Sequence, residues 1–343
     1  MSAVHELPLL RARHLQTAVD FLEEAGVPIE PLLDRTRLRP VARGCADALV
    51  PAVAVYRFRE LAAQREGLPN LGLALAESRR IEDALGDLGR SILAASSVHR
   101  ALSIFCAEAG KECSRLQTGL VEHDETAQVW HRNDTRAGQE DWHAELYCTR
   151  MMLRIVQLYH ADWRPSEIRF RSLETPERLL VSEALGCERL VFGCEATSFE
   201  LPRAMLANRS DPDCTDAGSP GRPDLPDAAT ATHQLREVLR NCDTSCLWNL
   251  DEAVEALGIP GRTLQRRLAS EGSSYSSLTT EVRMERATAL LAGEDIELRE
   301  LALMLGYSTH SNFTRAFHEW AGLTPTEFRR QRVCRAEGWA PGP

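Results

Sequence analysis

The feature that most constrains this chain is an internal repeat. "LDEAVEALGIPGRTLQRRLASEG" (250–272) and "LRELALMLGYSTHSNFTRAFHEWAG" (298–322) share Leu, Glu, an apolar run, Leu-Gly and then a second amphipathic stretch. Leu257-Gly258 and Leu305-Gly306 stand 48 residues apart. A Leu-Gly that closes one helical pattern and precedes another predicts helix, glycine turn, helix in each copy, the plan of a helix-turn-helix. Between the copies, "YSSLTTEVRMERATALL" predicts one long connecting helix.

The polar faces of the second helices carry the functional signal. On a helix from Thr309 to Trp320, Phe313, Ala316, Phe317 and Trp320 share one face, with Ser308 as the expected N-cap. The other face presents Ser311, Arg315 and His318, with Asn312 on the flank. The matching helix at 261–270 buries Leu264 and Leu268 and exposes Arg262, Gln265 and Arg266. Arginine beside an amide on an exposed helix can read guanine and adenine edges in a major groove. Either face alone could serve water equally well. Its repetition in the second helix of both units favours DNA.

Two capping boxes frame this region. In "LTPTEFRR", Thr324 is the N-cap, Pro325 sits at N1 and Glu327 at N3. With Arg329 and Arg330 behind it, that helix start could meet phosphate, or it could simply close the core through Phe328. "NLDE" at 249–252 reads as a structural cap.

Upstream, "SDPDCTDAGSPGRPDLPDAAT" (210–230) holds four prolines, two glycines and five aspartates, a linker composition. Before it the pattern is mixed. "VYRFRELAAQREG" and "VHRALSIFCAEAG" read as helices closing on Gly67 and Gly110. "SRLQTGLVEHDETAQVWHR" reads as a strand pair turning at His123–Glu125. A long helix is expected over "EDWHAELYCTRMMLRIVQLYH". "SEIRFRS", "ERLVFG" and "TSFELP" are short strands around a helix "PERLLVSEALG". The expected architecture is an α+β N-terminal domain (1–209) and a linker (210–229). An all-α domain of two helix-turn-helix units joined by a long helix (230–335) and a short tail (336–343) follow.

Composition narrows the function. No run of about 18 apolar residues indicates a membrane span, and the N-terminus lacks the pattern of a secretory signal, so the expected location is the cytoplasm. The net charge of −10 is uneven: 27 basic against 35 acidic residues up to 227, then 13 against 15. A nearly neutral C-terminal part requires any basic surface there to be local. The ten cysteines are scattered, Cys242 and Cys246 being the nearest pair, so buried reduced thiols are expected rather than a zinc site. A thiol-gated regulator is the first alternative. A DNA-targeted repair enzyme is a weaker one, since G-x-S-x-G, H-E-x-x-H, a P-loop and Cys-x-x-Cys are all absent. No catalytic residue, cofactor or metal ligand is assigned.

The stretch "LALMLGYSTHSNFTRAFHEWAGLTPTEFRR" carries A-x-x-x-G-[FY]-S, F-x-R-x-F and G-x-[ST]-P-x-x-[FY]-R in order. On these motifs residues 228–332 resemble the DNA-binding domain of the AraC/XylS family of bacterial transcription regulators. The resemblance implies base contacts from Arg262, Gln265 and Arg266 in the first unit, and from His310, Ser311, Asn312 and Arg315 in the second. Pro260 departs from the family's usual serine cap, so the first of these helices is expected to start differently. Through "LPNLGLALAES", "LGDLGRSILAASSVHRAL" and "CERLVFGCEATSFELPRAMLANRSDPD", residues 10–210 resemble the arabinose-binding-like domain of the ornithine-utilisation-regulator type. That implies a transcription regulator, an activator by analogy, with double-stranded DNA and RNA polymerase as partners. Its N-terminal half would sense a small-molecule effector or form a homodimer. Trp130-His131 and Trp142-His143, with Arg132, Arg136, Arg150 and Arg154 nearby, are candidates for a pocket suited to a carboxylated metabolite, although such tryptophans more often belong to a core and such arginines to the surface.

Overall fold

A computed structural model describes residues 7–133, 142–174, 181–207, 230–242, 247–293 and 296–336. The expected linker, Arg136 and Cys246 lie outside the described residues. The chain divides into two compact units, one within Leu7–Asp227 and one within Ala228–Pro343.

The first unit opens with β1 (Leu9–Arg11), α1 (Arg13–Glu24), α2 (Glu30–Thr36) and β2 (Leu49–Pro51), which pairs antiparallel with β1. Then come α3 (Ala52–Glu66), α4 (Leu71–Ser78), α5 (Ile81–Leu85), α6 (Asp87–Leu93) and α7 (Val98–Glu112). The expected stop at Gly67 holds, with the glycine left-handed at φ 64°. The expected stop at Gly110 does not: α7 runs through it to Glu112. A glycine ends a helix only where the chain turns left-handed, and Gly110 is not among the positive-φ glycines.

The strand pair is β3 (Leu116–Glu122) and β4 (Thr126–Asn133). α8 (Trp142–Gln157) follows, then β5 (Glu167–Arg169), α9 (Val181–Leu185), β6 (Arg189–Val191) and β7 (Thr197–Pro202). The sheet order is β3-β4-β7-β5-β6, antiparallel except for β5 with β6. Thirteen of the sixteen residues of α8 are buried, the polar His143, Glu145 and Thr149 among them. Its backbone lies hard against α4, where a Cβ on Gly72 would come within 2.1 Å of the His143 carbonyl oxygen. Trp142 meets Phe170 edge-on and Phe170 stacks on Phe192, anchoring the start of α8 to the strands.

Polar groups inside this unit are tied between layers. The Glu145 carboxylate accepts hydrogen bonds from the Arg171 amide (2.8 Å) and from the Ser172 and Thr197 hydroxyls. Thr149 donates to the Glu145 carbonyl (2.8 Å), so its remaining lone pair receives His131 Nε2–H at 2.9 Å. That assigns the His131 proton to Nε2. Burial lowers the His131 pKa to about 3, and the ring is neutral.

The second unit is helical throughout its described residues: α10 (Ala231–Arg240), α11 (Leu250–Leu257), α12 (Gly261–Ser270), α13 (Tyr275–Gly293), α14 (Leu298–Met304), α15 (His310–Ala321) and α16 (Pro325–Ala336). No described helix in either unit is long and apolar enough to cross a membrane.

Candidate nucleic-acid interface

Each repeat copy is a helix, a glycine turn and a second helix. α11 begins at a complete capping box, Asn249 with Glu252. It ends at Gly258, left-handed at φ 63°, a conformation a side chain would oppose. Ile259 is buried, and α12 starts without a side-chain cap. Pro260 supplies the start instead: its carbonyl accepts from Thr263 and Leu264 amides at 2.9 and 3.1 Å. Leu264 and Leu268 are fully buried, while Arg262, Gln265 and Arg266 are exposed. The spacing i, i+3, i+4 puts those three on one side of the helix.

The second copy repeats the plan with a different cap. α14 leads to Gly306 at φ 79°, and α15 begins after Thr309. The expected cap was Ser308. Thr309 takes that role, its hydroxyl accepting from the Asn312 amide at 3.2 Å, while Ser308 Oγ accepts from the Asn312 side chain at 3.1 Å. Pattern places a cap within a residue or so, and "STHSN" offers adjacent hydroxyls. Phe313 and Phe317 are fully buried with Met284, Leu301 and Leu305. Trp320, expected on the same face, is 45% exposed and touches the core through the edge of Phe317. His310, Ser311, Asn312 and Arg315 are exposed, with His310 3.4 Å from the Thr314 hydroxyl.

The two exposed faces stand out through how this unit treats its other arginines. Arg236 pairs with Glu281 and Arg240 with Glu285, both at 2.8 Å. Arg286 donates to the carbonyls of Leu239, Arg240 and Cys242, between 2.7 and 3.0 Å. Arg329, read from sequence as a phosphate candidate, donates to the Ile296 carbonyl at 2.7 Å and braces α16. The capping box of α16 is formed, with the Thr324 amide on Glu327 at 2.8 Å and the Glu327 amide on the Thr324 hydroxyl at 3.3 Å. Hydrogen bonds from Thr324 hold the Glu327 carboxyl below its usual range. Arg262, Arg266 and Arg315 have no ion pair among the described residues, and neither do exposed Arg299 and Arg330. Arg299 was not singled out from sequence, because a lone arginine in "LRELALM" resembles any solvated helix position.

α12 is also braced. The Glu271 carboxylate, just past its end, accepts from the Ala231 and Thr232 amides at 2.9 and 2.7 Å. Burial raises its pKa, but these donors outweigh that and leave it lowered. The start of α10 is thereby fixed to the end of α12.

The pocket candidates in the first unit have structural duties. Trp130 stands opposite Gly119 on β3, and Trp142 belongs to the aromatic cluster. Arg132 donates to Gln117 at 2.8 Å, Arg150 to Glu77 and Gln157, and Arg154 to the Ala76 carbonyl. His131 bonds Thr149, and His143 Nε2 lies 3.5 Å from Glu60. None of them lines the cavity of that unit. The described cysteines are free thiols, and burial pushes Cys106, Cys113, Cys148 and Cys187 up, away from the reactive thiolate.

Two family models match the chain. One, described as the arabinose-binding domain of AraC transcription regulator (N-terminal), covers residues 26–210, and the other, a helix-turn-helix domain, covers 253–331. The HTH-type transcriptional regulator VirS of Mycobacterium tuberculosis is 26% identical across 94% of this chain and 96% of its own length. The ornithine utilization regulator of Pseudomonas aeruginosa is 38% identical over 81 residues, 24% of each chain. The crystal structure of the transcriptional regulator CdpR from Pseudomonas aeruginosa aligns over 92% of this chain and 96% of its own, at 20% identity and a TM-score of 0.43.

Proposed function

Since this chain belongs to the AraC family of transcription regulators and is a DNA-binding regulator, we propose that α12 and α15 are its base-reading helices. Arg262, Gln265 and Arg266 enter one major groove. His310, Ser311, Asn312 and Arg315 enter the next, about one helical turn away on the same DNA face. The observation that carries this reading is the pairing pattern: Arg236, Arg240, Arg286 and Arg329 are engaged, while Arg262, Arg266 and Arg315 point outward without a carboxylate. Arg299 and Arg330 serve phosphate. The protein acts in the cytoplasm as an activator that engages RNA polymerase. Its first unit senses a small effector and supports a homodimer.

The test is fluorescence anisotropy of the full chain on its operator and on mismatched fragments, with salt varied. Arg262→Ala or Arg315→Ala should cost about 1–3 kcal/mol on the best site and relax discrimination at one base. Arg299→Ala and Arg330→Ala should weaken all fragments alike and reduce the salt slope by about 1 each. If Arg262→Ala and Arg315→Ala behave like the phosphate variants, the base-reading assignment is wrong.

A further inference from the structure

The unit within Leu7–Asp227 holds a partly open cavity whose lining is chiefly apolar, with Leu88, Phe105 and Met151 among its walls. Its volume is about 60 Å³, room for a few waters or a small ligand. Titratable residues from four helices line this space, among them His14 on α1, Arg59 on α3, Glu112 on α7 and Tyr147 on α8.

Their pairing is uneven. Glu112 is compensated, its carboxylate lying 3.3 Å from His14 Nε2 and 3.4 Å from Arg13 Nε. Burial raises the Glu112 pKa, but His14 and Arg13 outweigh it and hold the group below the usual range. Arg59 is not compensated. It is 3% exposed, and Nη2 donates to the His14 carbonyl at 2.9 Å. Its guanidinium carbon lies 5.6 Å from the centroid of the Tyr147 ring. Nε–H has no acceptor, and no carboxylate among the described residues pairs with the guanidinium. The neighbouring Tyr147 hydroxyl is also buried without a hydrogen-bond partner.

A buried guanidinium without an anion is costly, and a buried hydroxyl without a partner adds to that cost. Both open donors belong to residues that line the same cavity and ask for an acceptor, and the charge asks for an anion. Glu112 and the unpaired Asn133 Oδ1, both on the cavity, disfavour a second anionic group. The remaining wall is hydrocarbon. We propose that the cavity binds a small monocarboxylate, its carboxylate on Arg59 and Tyr147 and its short hydrocarbon body against Leu88, Phe105 and Met151. The available space suits an acid of roughly four to six heavy atoms. This site rests on the reading of the first unit as a sensor and gives that reading a ligand class.

The test uses the full chain without DNA, at constant ionic strength. Acetate, propionate and butyrate are titrated by calorimetry and thermal shift, with propionamide and succinate as controls. Saturable binding of a monocarboxylate, at least tenfold tighter than either control, is the expected result. Arg59→Met should lose at least tenfold in affinity. Tyr147→Phe, which keeps the ring and removes only the hydroxyl, should lose several-fold and guards against a folding defect in the first variant. Absence of saturable binding by any of the acids overturns the proposal, as does equal binding of propionamide or an unchanged affinity in both variants. The DNA titration is then repeated with saturating acid. A changed operator affinity supports sensing. An unchanged one keeps the site but removes its sensory role, and neither outcome bears on the base-reading helices.

Discussion

The two units use charge in opposite ways. The first takes it inside: Arg59, Glu112 and Glu145 are all buried. In the second, the buried polar side chains among the described residues are Gln234 and Thr279, both neutral, and the arginines lie outside the core. A unit built around an apolar core holds its helices steady whatever the solution contains, which suits a surface that must read DNA. A unit with titratable groups among its packing layers has a stability that answers to protons and ligands. Stability and responsiveness are thus divided between two pieces of one chain.

The largest expected effect tests whether the second unit depends on its apolar core alone. Phe317 is fully buried, between Phe313 at 5.7 Å and Phe328 at 5.6 Å between centroids. Phe317→Ala should cost about 3–5 kcal/mol. Hydrogen exchange should show lost protection over α14 and α15, with α8 unchanged. Equal loss in α8 would break the division between the units.

The counterpart in the first unit is polar. Glu145→Ala strips the acceptor from the Arg171 amide and from the Ser172 and Thr197 hydroxyls. Leaving those donors buried should cost about 3 kcal/mol. Exchange should rise in β5 and β7, and operator affinity per folded molecule should stay the same. A loss below about 1 kcal/mol would mean that water replaces the carboxylate there.

How far this contrast could be read in advance differs between the units. The second unit was legible because its signals are local. Leu257-Gly258 and Leu305-Gly306 mark the turns, the spacing of Leu264 and Leu268 or of Phe313 and Phe317 marks the buried face, and the exposed residues follow. What failed there was a matter of one position, Thr309 in place of Ser308, and of packing at the rim, where Trp320 is exposed. In the first unit the strand pair was legible from its polar turn at His123–Glu125, and α8 from the helical spacing of Trp142, Leu146, Met152, Ile155 and Val156. Its cavity was not. His14, Arg59, Glu112 and Tyr147 lie up to about 130 residues apart in sequence, and each looks like a surface position until four helices bring them together. The tryptophans and arginines adjacent in sequence were the more visible cluster, and they turned out to pack and to brace.

Acid provides the next prediction. His131 has a folded pKa of about 3 against 6.5 when unfolded. Above pH 6.5 both states are neutral and nothing is lost. As pH falls below 6.5 the unfolded chain takes up a proton that the native state refuses, so stability declines until pH approaches 3. At pH 5 the loss from this residue alone is about 2 kcal/mol. Denaturant midpoints of the first unit at pH 7.5 and pH 5, with His131→Gln as the variant that flattens the difference, measure it. The second unit should shift less over the same range. A larger shift in the second unit would reverse the comparison.

The smallest effect concerns a single hydroxyl at the start of α15, the helix proposed to read bases. Thr309 caps α15 by accepting from the Asn312 amide, whereas Ser308 accepts from a side chain that water could equally satisfy. Thr309→Ala should therefore cost about 1 kcal/mol, and Ser308→Ala less than about 0.5 kcal/mol. Urea midpoints of the two variants separate these values. A greater cost at Ser308 would move the helix start back by one residue. The buried Phe313 and Phe317 would still hold Ser311, Asn312 and Arg315 on the outer side of the helix, so the two variants report on the cap alone.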